Sequence, residues 1–294
     1  RDAEAGDAFL ALKGERFDAH AFITQVAEQG CQVAIVSQPI DAEVCQLVVP
    51  DTRLALGQLG AYRRAQNPQL KVIALTGSSG KTTTKEMLGS ILSRIAPTLV
   101  TRGNLNNDLG VPVMLLELRP EHQYAVMELG ASHQGEIDYT SNLVQPLVAG
   151  IINIGTAHLG EFGGRDGICR AKSEIYAHIA PNGTSIVPAA DDFADSIRQA
   201  VQTEQVLSFG AGGEIFATEI ELQAQSATFK LNTPQGVRQV NLPFAGEHNV
   251  QNATAAAAFA LAIGISLDDI VLGLEQAVGA KAVSYTHLTL PTKA

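Results

Sequence analysis

A short glycine-rich segment constrains this chain more than any other feature of its sequence. Residues 72–87 read VIALTGSSGKTTTKEM, so an apolar run stops at Gly77, two serines follow, and Gly80 leads into Lys81 and three threonines. A buried strand, a glycine-rich turn and a helix in this order form a phosphate-binding loop, in which backbone N–H groups and the helix N-terminus face the anion. The segment therefore predicts an α/β domain that binds a nucleotide.

Each position of this turn has a predicted role. Gly77 and Gly80 let the backbone turn its N–H groups inward. Lys81 is expected to reach the β- and γ-phosphates, and the Thr82 hydroxyl to hold Mg²⁺. The alternative, a glycine turn with a chance lysine, is disfavoured by the placement between a strand and a helix. The predicted nucleotide-binding set is Gly77, Ser78, Ser79, Gly80, Lys81, Thr82 and Thr83.

Composition excludes several classes of protein. The chain has 294 residues, of which 46% are hydrophobic, so it is globular and long enough for two domains. Its net charge of −10, without a Lys/Arg block, argues against a nucleic acid or an anionic membrane as the main partner. The three cysteines show no C-x-x-C spacing, which predicts a reducing cytoplasm and neither a disulfide framework nor a zinc site.

Alternating apolar and helical patterns divide the chain into two α/β units. Residues 1–70 contain short strands at FLAL, VAIV and CQLVVP and two helical stretches, the first stopped by Gly30. From Lys71 onward, strands at KVIALTG, YAVMEL, LVAGIINI, GTSIVP and QVLSFG alternate with helices. This alternation predicts a mostly parallel, doubly wound sheet.

The pattern changes towards the C-terminus. Residues 215–244 alternate with period two around a turn at 233–236, which predicts an antiparallel hairpin appended to the sheet. Helices are predicted at about 248–263 and 267–278, the first Ala-rich, buried and too short to span a bilayer. The predicted fold class is α/β: a small N-terminal α/β domain, then a doubly wound phosphate-loop domain with the hairpin.

Charged side chains follow two other predicted strands. Glu128 ends YAVMEL, and His158 follows the strand in IINIGTAHLGEFGG. Ligands bind at the carboxyl ends of strands in open α/β sheets, so we expect Glu128 to complete a Mg²⁺ site with Thr82. A structural role for His158 stays open. Lys172 lies on a helix after this loop, where a lysine is ordinarily a solvated surface group.

Asparagines form two further clusters. Asn104, Asn106 and Asn107 lie in TRGNLNNDLGVP, and their amides suit peptide and sugar groups, although an ordinary polar loop explains the composition equally well. Asn249 and Asn252 share one face at the start of the Ala-rich helix, where they suit an adenine edge. The alternative there is N-capping by Asn249.

Taken together, these segments resemble the Mur ligase family of peptidoglycan synthesis. TGSSGKTTTKEM, GNLNNDLGVP, MELGASHQGEI, NIGTAHLGEFGG, AKSEI and GEHNVQNATAAAA occur in this order across residues 76–258. GDAFLALKGERFDAHAF, residues 6–22, resembles the N-terminal UDP-sugar domain of two of its members. LNNDLGVP and ELGASHQGEI resemble the members that add D-Ala-D-Ala to UDP-N-acetylmuramoyl-tripeptide.

The resemblance implies an ATP- and Mg²⁺-dependent amide ligase that acts through an acyl phosphate. We expect the protein to be cytoplasmic and monomeric. Its implied catalytic residues are Lys81, Glu128, His158 and Lys172. Its implied metal ligands are Thr82, Glu128, His158 and, if carbamylated, Lys172. Asn249 and Asn252 match adenine-contacting positions. The implied substrate-binding residues are Lys13, Gly14, Asp18, His20, Asn104, Asn106 and Asn107.

The resemblance also implies domain bounds. It places a UDP-sugar domain in residues 1–70, whose native start is expected to be missing, and an ATP-binding domain in residues 71–281. We interpret residues 282–294 as a non-native tail, with a native strand and turn as the alternative. The family's third domain is expected to be absent, so the chain is expected to bind nucleotide without ligating.

Two other functions stay open. A folylpolyglutamate synthase-like ligase shares the ATP domain but should lack the KGERFDAH segment that precedes the phosphate loop here. A nucleotide-binding module without ligase activity is the second alternative.

Overall fold

The structure is a computed structural model that describes residues 5–14, 17–156 and 159–278. Two predictions fall outside these ranges, namely the role of His158 and the interpretation of residues 282–294 as a tail. Among the described residues, no helix is both long enough and apolar enough to cross a membrane.

A small parallel sheet forms the N-terminal part of the described chain. Its strands pair in chain order: β1 (Ala8–Leu10), β2 (Val33–Val36) and β3 (Cys45–Val48). A 3-10 turn over Ala19–Phe22 leads into α1 (Ile23–Glu28), and Gly30 then adopts φ +94°. Glycine takes this left-handed conformation without strain, which confirms the predicted helix stop. Buried side chains of α1 and β2 form a small core of their own.

A longer helix, α2 (Thr52–Ala65), joins this sheet to the central one. It begins at Asp51, whose carboxylate accepts hydrogen bonds from the N–H groups of Arg53 and Leu54. Gly60 of α2 faces Pro112, and a Cβ at Gly60 would lie only 3.0 Å from Pro112 Cα. This close approach lets α2 pack on the helices of the central sheet.

The central sheet is parallel and confirms the predicted doubly wound fold. Its described strands are β4 (Lys71–Thr76), β5 (Thr98–Val100), β6 (Tyr124–Glu128), β7 (Val148–Ile151), β8 (Thr184–Pro188) and β9 (Gln205–Phe209). They lie in the order β5-β6-β4-β7-β8-β9. The helices between them are α3 (Lys81–Ser93), α4 (Gly110–Leu116), α5 (Glu136–Val144), α6 (Leu159–Phe162), α7 (Arg165–Ser173) and α8 (Ala194–Ala200). The short strand β5 was not predicted.

The predicted antiparallel hairpin is confirmed, and the structure adds a third strand to it. β10 (Phe216–Leu222), β11 (Ala227–Thr233) and β12 (Gly236–Leu242) form a separate antiparallel sheet, with β11 in the middle. The predicted turn at 233–236 joins β11 to β12. Two helices complete the fold, α9 (Glu247–Ala262) and α10 (Leu267–Glu275).

Helices cover both faces of the central sheet. On one face, α3, α9 and α10 pack with the antiparallel sheet in one continuous core. On the other face, α4, α5 and α7 form a second core. The alanines of α9 are buried, and their small side chains let this helix lie close to α3 and to β9.

The pairing of β4 positions the candidate site. β4 lies between β6 and β7, with Leu75 opposite Glu128 on one side and Thr76 opposite Ile151 on the other. After β4, the chain first adds β5 and β6 on one side of β4 and then adds β7, β8 and β9 on the other side. In open α/β sheets, the crevice at such a reversal of strand order is the ligand-binding site.

Candidate nucleotide-binding site

The glycine-rich loop connects β4 directly to α3. Gly80 precedes the first residue of α3 with φ +75°, and no described side chain caps this helix end. A Cβ at position 80 would lie 2.3 Å from Asn252 Oδ1, so both the backbone conformation and the available space require glycine. The first N–H groups of α3 therefore lack partners within the helix and are oriented to bind an anion.

Lys81 folds back over the loop. Its Nζ donates a hydrogen bond to the carbonyl oxygen of Gly77 at 2.9 Å. Burial lowers the pKa of Lys81, and the Glu128 carboxylate partly opposes this shift. The ammonium group thus lies at the loop, beside the helix N-terminus.

Thr82 and Glu128 are in contact, as the strand-end argument predicts. The Thr82 hydroxyl donates to Glu128 Oε2 at 3.2 Å, and Asn106 Nδ2 donates to Glu128 Oε1 at 2.8 Å. Glu128 is 2% exposed. A hydroxyl and a carboxylate are the hard oxygen ligands that Mg²⁺ takes together with phosphates and water. Among the described residues, no cluster of three or more His, Cys, Asp or Glu could hold a metal ion by itself.

Lys85 is a charged residue of this site that the sequence reasoning missed. It is fully buried and donates through Nζ to the carbonyl oxygen of Thr101 at 2.7 Å. Its Nζ also lies 3.0 Å from Glu86 Oε1 and 3.9 Å from Glu128 Oε2. Its spacing of four residues from Lys81 in α3 was the available signal, because such residues share a helix face.

Lys172 lies in the same cavity as Lys81. The cavity has a volume of about 230 Å³, and Ser78, Asn106 and Glu136 also line it. Lys172 is only 5% exposed, so it is not a solvated surface lysine. Burial lowers its pKa to about 8, and the charge of Lys81 adds to this shift. The structure therefore brings Lys172 to the phosphate loop, while His158 lies outside the described residues.

Asn153 is the second residue that the sequence reasoning missed. It lies two residues beyond β7, and its side chain makes hydrogen bonds to Ser78 and Ser79 of the loop. The predicted strand LVAGIINI includes Asn153, whereas the strand in the structure ends at Ile151, so the strand-end argument did not reach this residue.

The two asparagines of α9 are hydrogen-bonded to each other. Asn249 Nδ2 donates to the carbonyl oxygen of Ala245 at 2.8 Å, and Asn252 Nδ2 donates to Asn249 Oδ1 at 3.3 Å. The helix is capped at Gly246, so N-capping by Asn249 is wrong. Asn252 borders a cavity of about 330 Å³ that Asn153 also lines. Adenine contact by this pair stays a prediction.

The loop asparagines have different surroundings. Asn106 holds Glu128, whereas Asn107 Oδ1 accepts a hydrogen bond from the N–H of Gly110 at 2.8 Å and so supports the start of α4. Asn104 is exposed. Substrate binding by these side chains stays a prediction.

The predicted substrate residues of the N-terminal part form a local network. Asp18 Oδ1 lies 2.6 Å from His20 Nδ1 and accepts the His20 N–H at 3.0 Å, and these bonds lower the pKa of Asp18. The N–H of Ser37 donates to His20 Nε2 at 2.9 Å. His20 is 4% exposed, and both of its ring nitrogens have hydrogen-bond partners within the protein. Lys13 and Gly14 are exposed nearby, and substrate binding by this set stays a prediction.

Known proteins of similar sequence belong to a family of ligases. A family model described as the Mur ligase middle domain matches residues 75–260. UDP-N-acetylmuramoyl-tripeptide–D-alanyl-D-alanine ligase of Escherichia coli (strain K12) is 46% identical over 277 residues, which cover 93% of this chain and 61% of that protein.

Solved structures give the same result. A crystal structure of MurF from Acinetobacter baumannii superposes with a TM-score of 0.94 at 79% identity, covering 95% of this chain and 62% of that one. MurF ligase from Thermotoga maritima in complex with ADP superposes with a TM-score of 0.85 at 28% identity, covering 94% and 64%. The chain thus spans less than two thirds of the length of these relatives. The family model and the shared fold show that the chain belongs to the Mur ligase family.

Proposed function

We propose that this chain carries the ATP site of a ligase that joins D-Ala-D-Ala to UDP-N-acetylmuramoyl-tripeptide in peptidoglycan synthesis. The observation that carries the proposal is the phosphate loop, with the Thr82 hydroxyl 3.2 Å from the buried Glu128 carboxylate. Support for the substrates comes from the name of the Escherichia coli relative, and support for the nucleotide comes from the ADP complex of the Thermotoga maritima relative.

The proposed reaction forms an amide bond in two steps. The terminal carboxylate of the tripeptide attacks the γ-phosphorus of ATP, which releases ADP and leaves an acyl phosphate. The amine of D-Ala-D-Ala then attacks the acyl carbon, loses a proton and expels inorganic phosphate. Both steps bring negative charges together, so fixed positive groups around the phosphates lower the barriers. Lys81 and the N-terminus of α3 supply this charge from the chain.

The oxygen atoms of Thr82 and Glu128 suit Mg²⁺, the metal that the resemblance implies. Thr82 and Glu128 would hold Mg²⁺, which when bound neutralises charge on the transferring phosphate. The resemblance assigns a second metal position to His158 and to a carbamylated Lys172. A lysine with a pKa of about 8 leaves roughly a tenth of its amines uncharged at neutral pH, and the uncharged amine is the form that reacts with CO₂.

The adenine base of ATP would occupy the cavity beside Asn252. Ile220 and Val250 give this cavity apolar walls, and Asn252 supplies an amide that can both donate to and accept from a base edge. The cavity lies next to Gly80, so a nucleotide can extend from it to the phosphate loop.

The N-terminal sheet favours this function over its first alternative. A folylpolyglutamate synthase-like ligase should lack this unit, whereas the described chain builds β1, β2 and β3 around a separate core. We propose that residues 1–70 form the UDP-sugar domain and residues 71–281 the ATP domain. That the 294-residue chain binds nucleotide without ligating stays a prediction.

Replacing Lys81 tests the phosphate loop. We expect Lys81→Met to weaken Mg-ATP binding roughly 10- to 100-fold, because a charge-assisted hydrogen bond contributes about 1.5–3 kcal/mol. Isothermal titration calorimetry on the purified chain measures this. Lys71→Met is the matched control, since Lys71 is exposed at the opposite end of β4. Equal affinities of the two variants would contradict the assignment of Lys81.

Substrate binding separates the proposed function from its alternatives. We expect the chain to bind UDP-N-acetylmuramoyl-tripeptide and to show no saturable binding of tetrahydrofolate, with calorimetry as the readout. Binding reports recognition of each substrate without requiring turnover. Saturable binding of the folate alone would favour the first alternative. Binding of nucleotide with neither substrate would favour a non-catalytic module.

Carbamylation of Lys172 is tested by NMR in ¹³C-labelled bicarbonate. We expect a carbamate carbonyl signal that grows between pH 6 and pH 8, because the uncharged amine fraction rises as the pH approaches the lowered pKa of about 8. Lys172→Ala should abolish the signal. A spectrum that is identical in the variant would show that Lys172 is not the modified group.

A further inference from the structure

The side chain of Asn153 joins the phosphate loop to the neighbouring strand. Its Oδ1 accepts hydrogen bonds from the N–H of Ser78 at 3.1 Å, from the N–H of Ser79 at 3.0 Å and from the Ser79 hydroxyl at 3.3 Å. Its Nδ2 donates to the carbonyl oxygen of Ser79 at 3.1 Å. The backbone carbonyl of Asn153 also accepts from the N–H of Ser78 at 3.1 Å.

These bonds fix the shape of the loop. Two successive backbone N–H groups that converge on one oxygen form the concave arrangement by which loops bind anions. Here a neutral amide oxygen occupies that position, so the first half of the loop is held by the protein itself. The second half leads from Gly80 into α3, whose N-terminus has no cap among the described side chains.

The backbone N–H groups of the loop therefore fall into two sets with different partners. The N–H groups of Ser78 and Ser79 anchor the loop to Asn153, beyond the end of β7. The N–H groups at the start of α3 remain for a ligand. We propose that Asn153 is a positioning residue that holds the phosphate loop in its nucleotide-binding shape before the nucleotide arrives. This inference rests on the proposed function, since it assigns a role within the same site.

The physical advantage is preorganisation. Without the anchor, Ser78 and Ser79 would become ordered only when the phosphate binds, and the loss of their conformational freedom would oppose binding. With the anchor, the loop is already ordered in the free protein. The spacer between Gly77 and Gly80 is only two residues long, so it has little internal structure of its own.

The test combines amide hydrogen exchange with nucleotide affinity. In the nucleotide-free protein, we expect Asn153→Ala to speed exchange at Ser79, as measured by NMR. Exchange at Ser78 should change less, because its N–H keeps the bond to the backbone carbonyl of residue 153. The Kd for Mg-ADP should rise about tenfold, which corresponds to losing hydrogen bonds of ordinary strength. Exchange in the strands β4 and β7 should stay as slow as in the unmodified chain.

Asn153→Asp tests whether the hydrogen bonds of residue 153, and not the volume of its side chain, hold the loop. The aspartate keeps an acceptor for both N–H groups, so slow exchange at Ser78 and Ser79 should be retained. It loses the donor to the Ser79 carbonyl and adds a negative charge near the phosphates, so the Mg-ADP affinity should fall, and more steeply at low salt. This variant also keeps the inference testable if the alanine variant folds poorly.

Asn232→Ala is the matched control. Asn232 Nδ2 donates to the carbonyl oxygen of Phe216, to the Thr218 hydroxyl and to the carbonyl oxygen of Lys230, at 3.3, 2.9 and 3.1 Å. The substitution removes a comparable network from the antiparallel sheet. Neither exchange in the loop nor the Mg-ADP affinity should change.

Three results would overturn the inference. Unchanged exchange at Ser79 in Asn153→Ala would show that the side chain does not hold the loop, even if the affinity falls. Tighter Mg-ADP binding would show that Asn153 competes with the phosphates. Faster exchange throughout β4 and β7 would show a general structural role. If the unmodified chain does not bind Mg-ADP, the proposed function fails, while the exchange data still decide whether Asn153 anchors the loop.

Discussion

The parallel pairing of β4 with β6 and β7 is the interaction on which the rest of the site depends. Neighbouring strands lie about 4.8 Å apart, so three adjacent strand ends bring the residues that follow them within reach of one ligand. Thr76 leads into the phosphate loop, Glu128 ends β6, and Asn153 follows β7. A shift of one residue in the pairing of β4 with β6 or with β7 would turn the side chain of Glu128 or of Asn153 away from the loop.

The buried charges around these strand ends support the proposed binding of a triphosphate by an acidic chain. The net charge is −10, yet Lys81 and Lys85 lie close to the buried carboxylate of Glu128, and Lys172 lines the same cavity as Lys81. Lys85 is held by Glu86 and by the carbonyl oxygen of Thr101, so its charge has partners within the protein. Lys81 and Lys172 face a cavity instead, where burial lowers the pKa of both amines. A bound polyphosphate would supply the missing countercharge.

Sequence reasoning located the parts of the site that follow from local order along the chain. The phosphate loop and Glu128 were predictable, because each directly ends a recognisable strand. For Lys85 the sequence offered only its spacing of four residues from Lys81, because its contact with Glu128 depends on which face of α3 meets β6. Asn153 was missed because its partners, Ser78 and Ser79, are more than seventy residues away in the chain. For His20, the resemblance implies a substrate-binding role that stays a prediction, while its burial and its bonds to Asp18 and Ser37 depend on tertiary contacts that the sequence does not show.

We propose that Thr82 and Glu128 form one site with the phosphates of ATP, and the Mg²⁺ dependence of ATP binding tests this proposal. Calorimetry would compare ATP affinity with Mg²⁺ and with a chelator, in the unmodified chain and in Glu128→Gln. The glutamine keeps the size of the side chain and can still accept from Thr82, but it lacks the charge. We predict that Mg²⁺ strengthens ATP binding at least about tenfold in the unmodified chain, and that Glu128→Gln loses most of this gain without weakening metal-free binding. The same gain in both proteins would contradict the account.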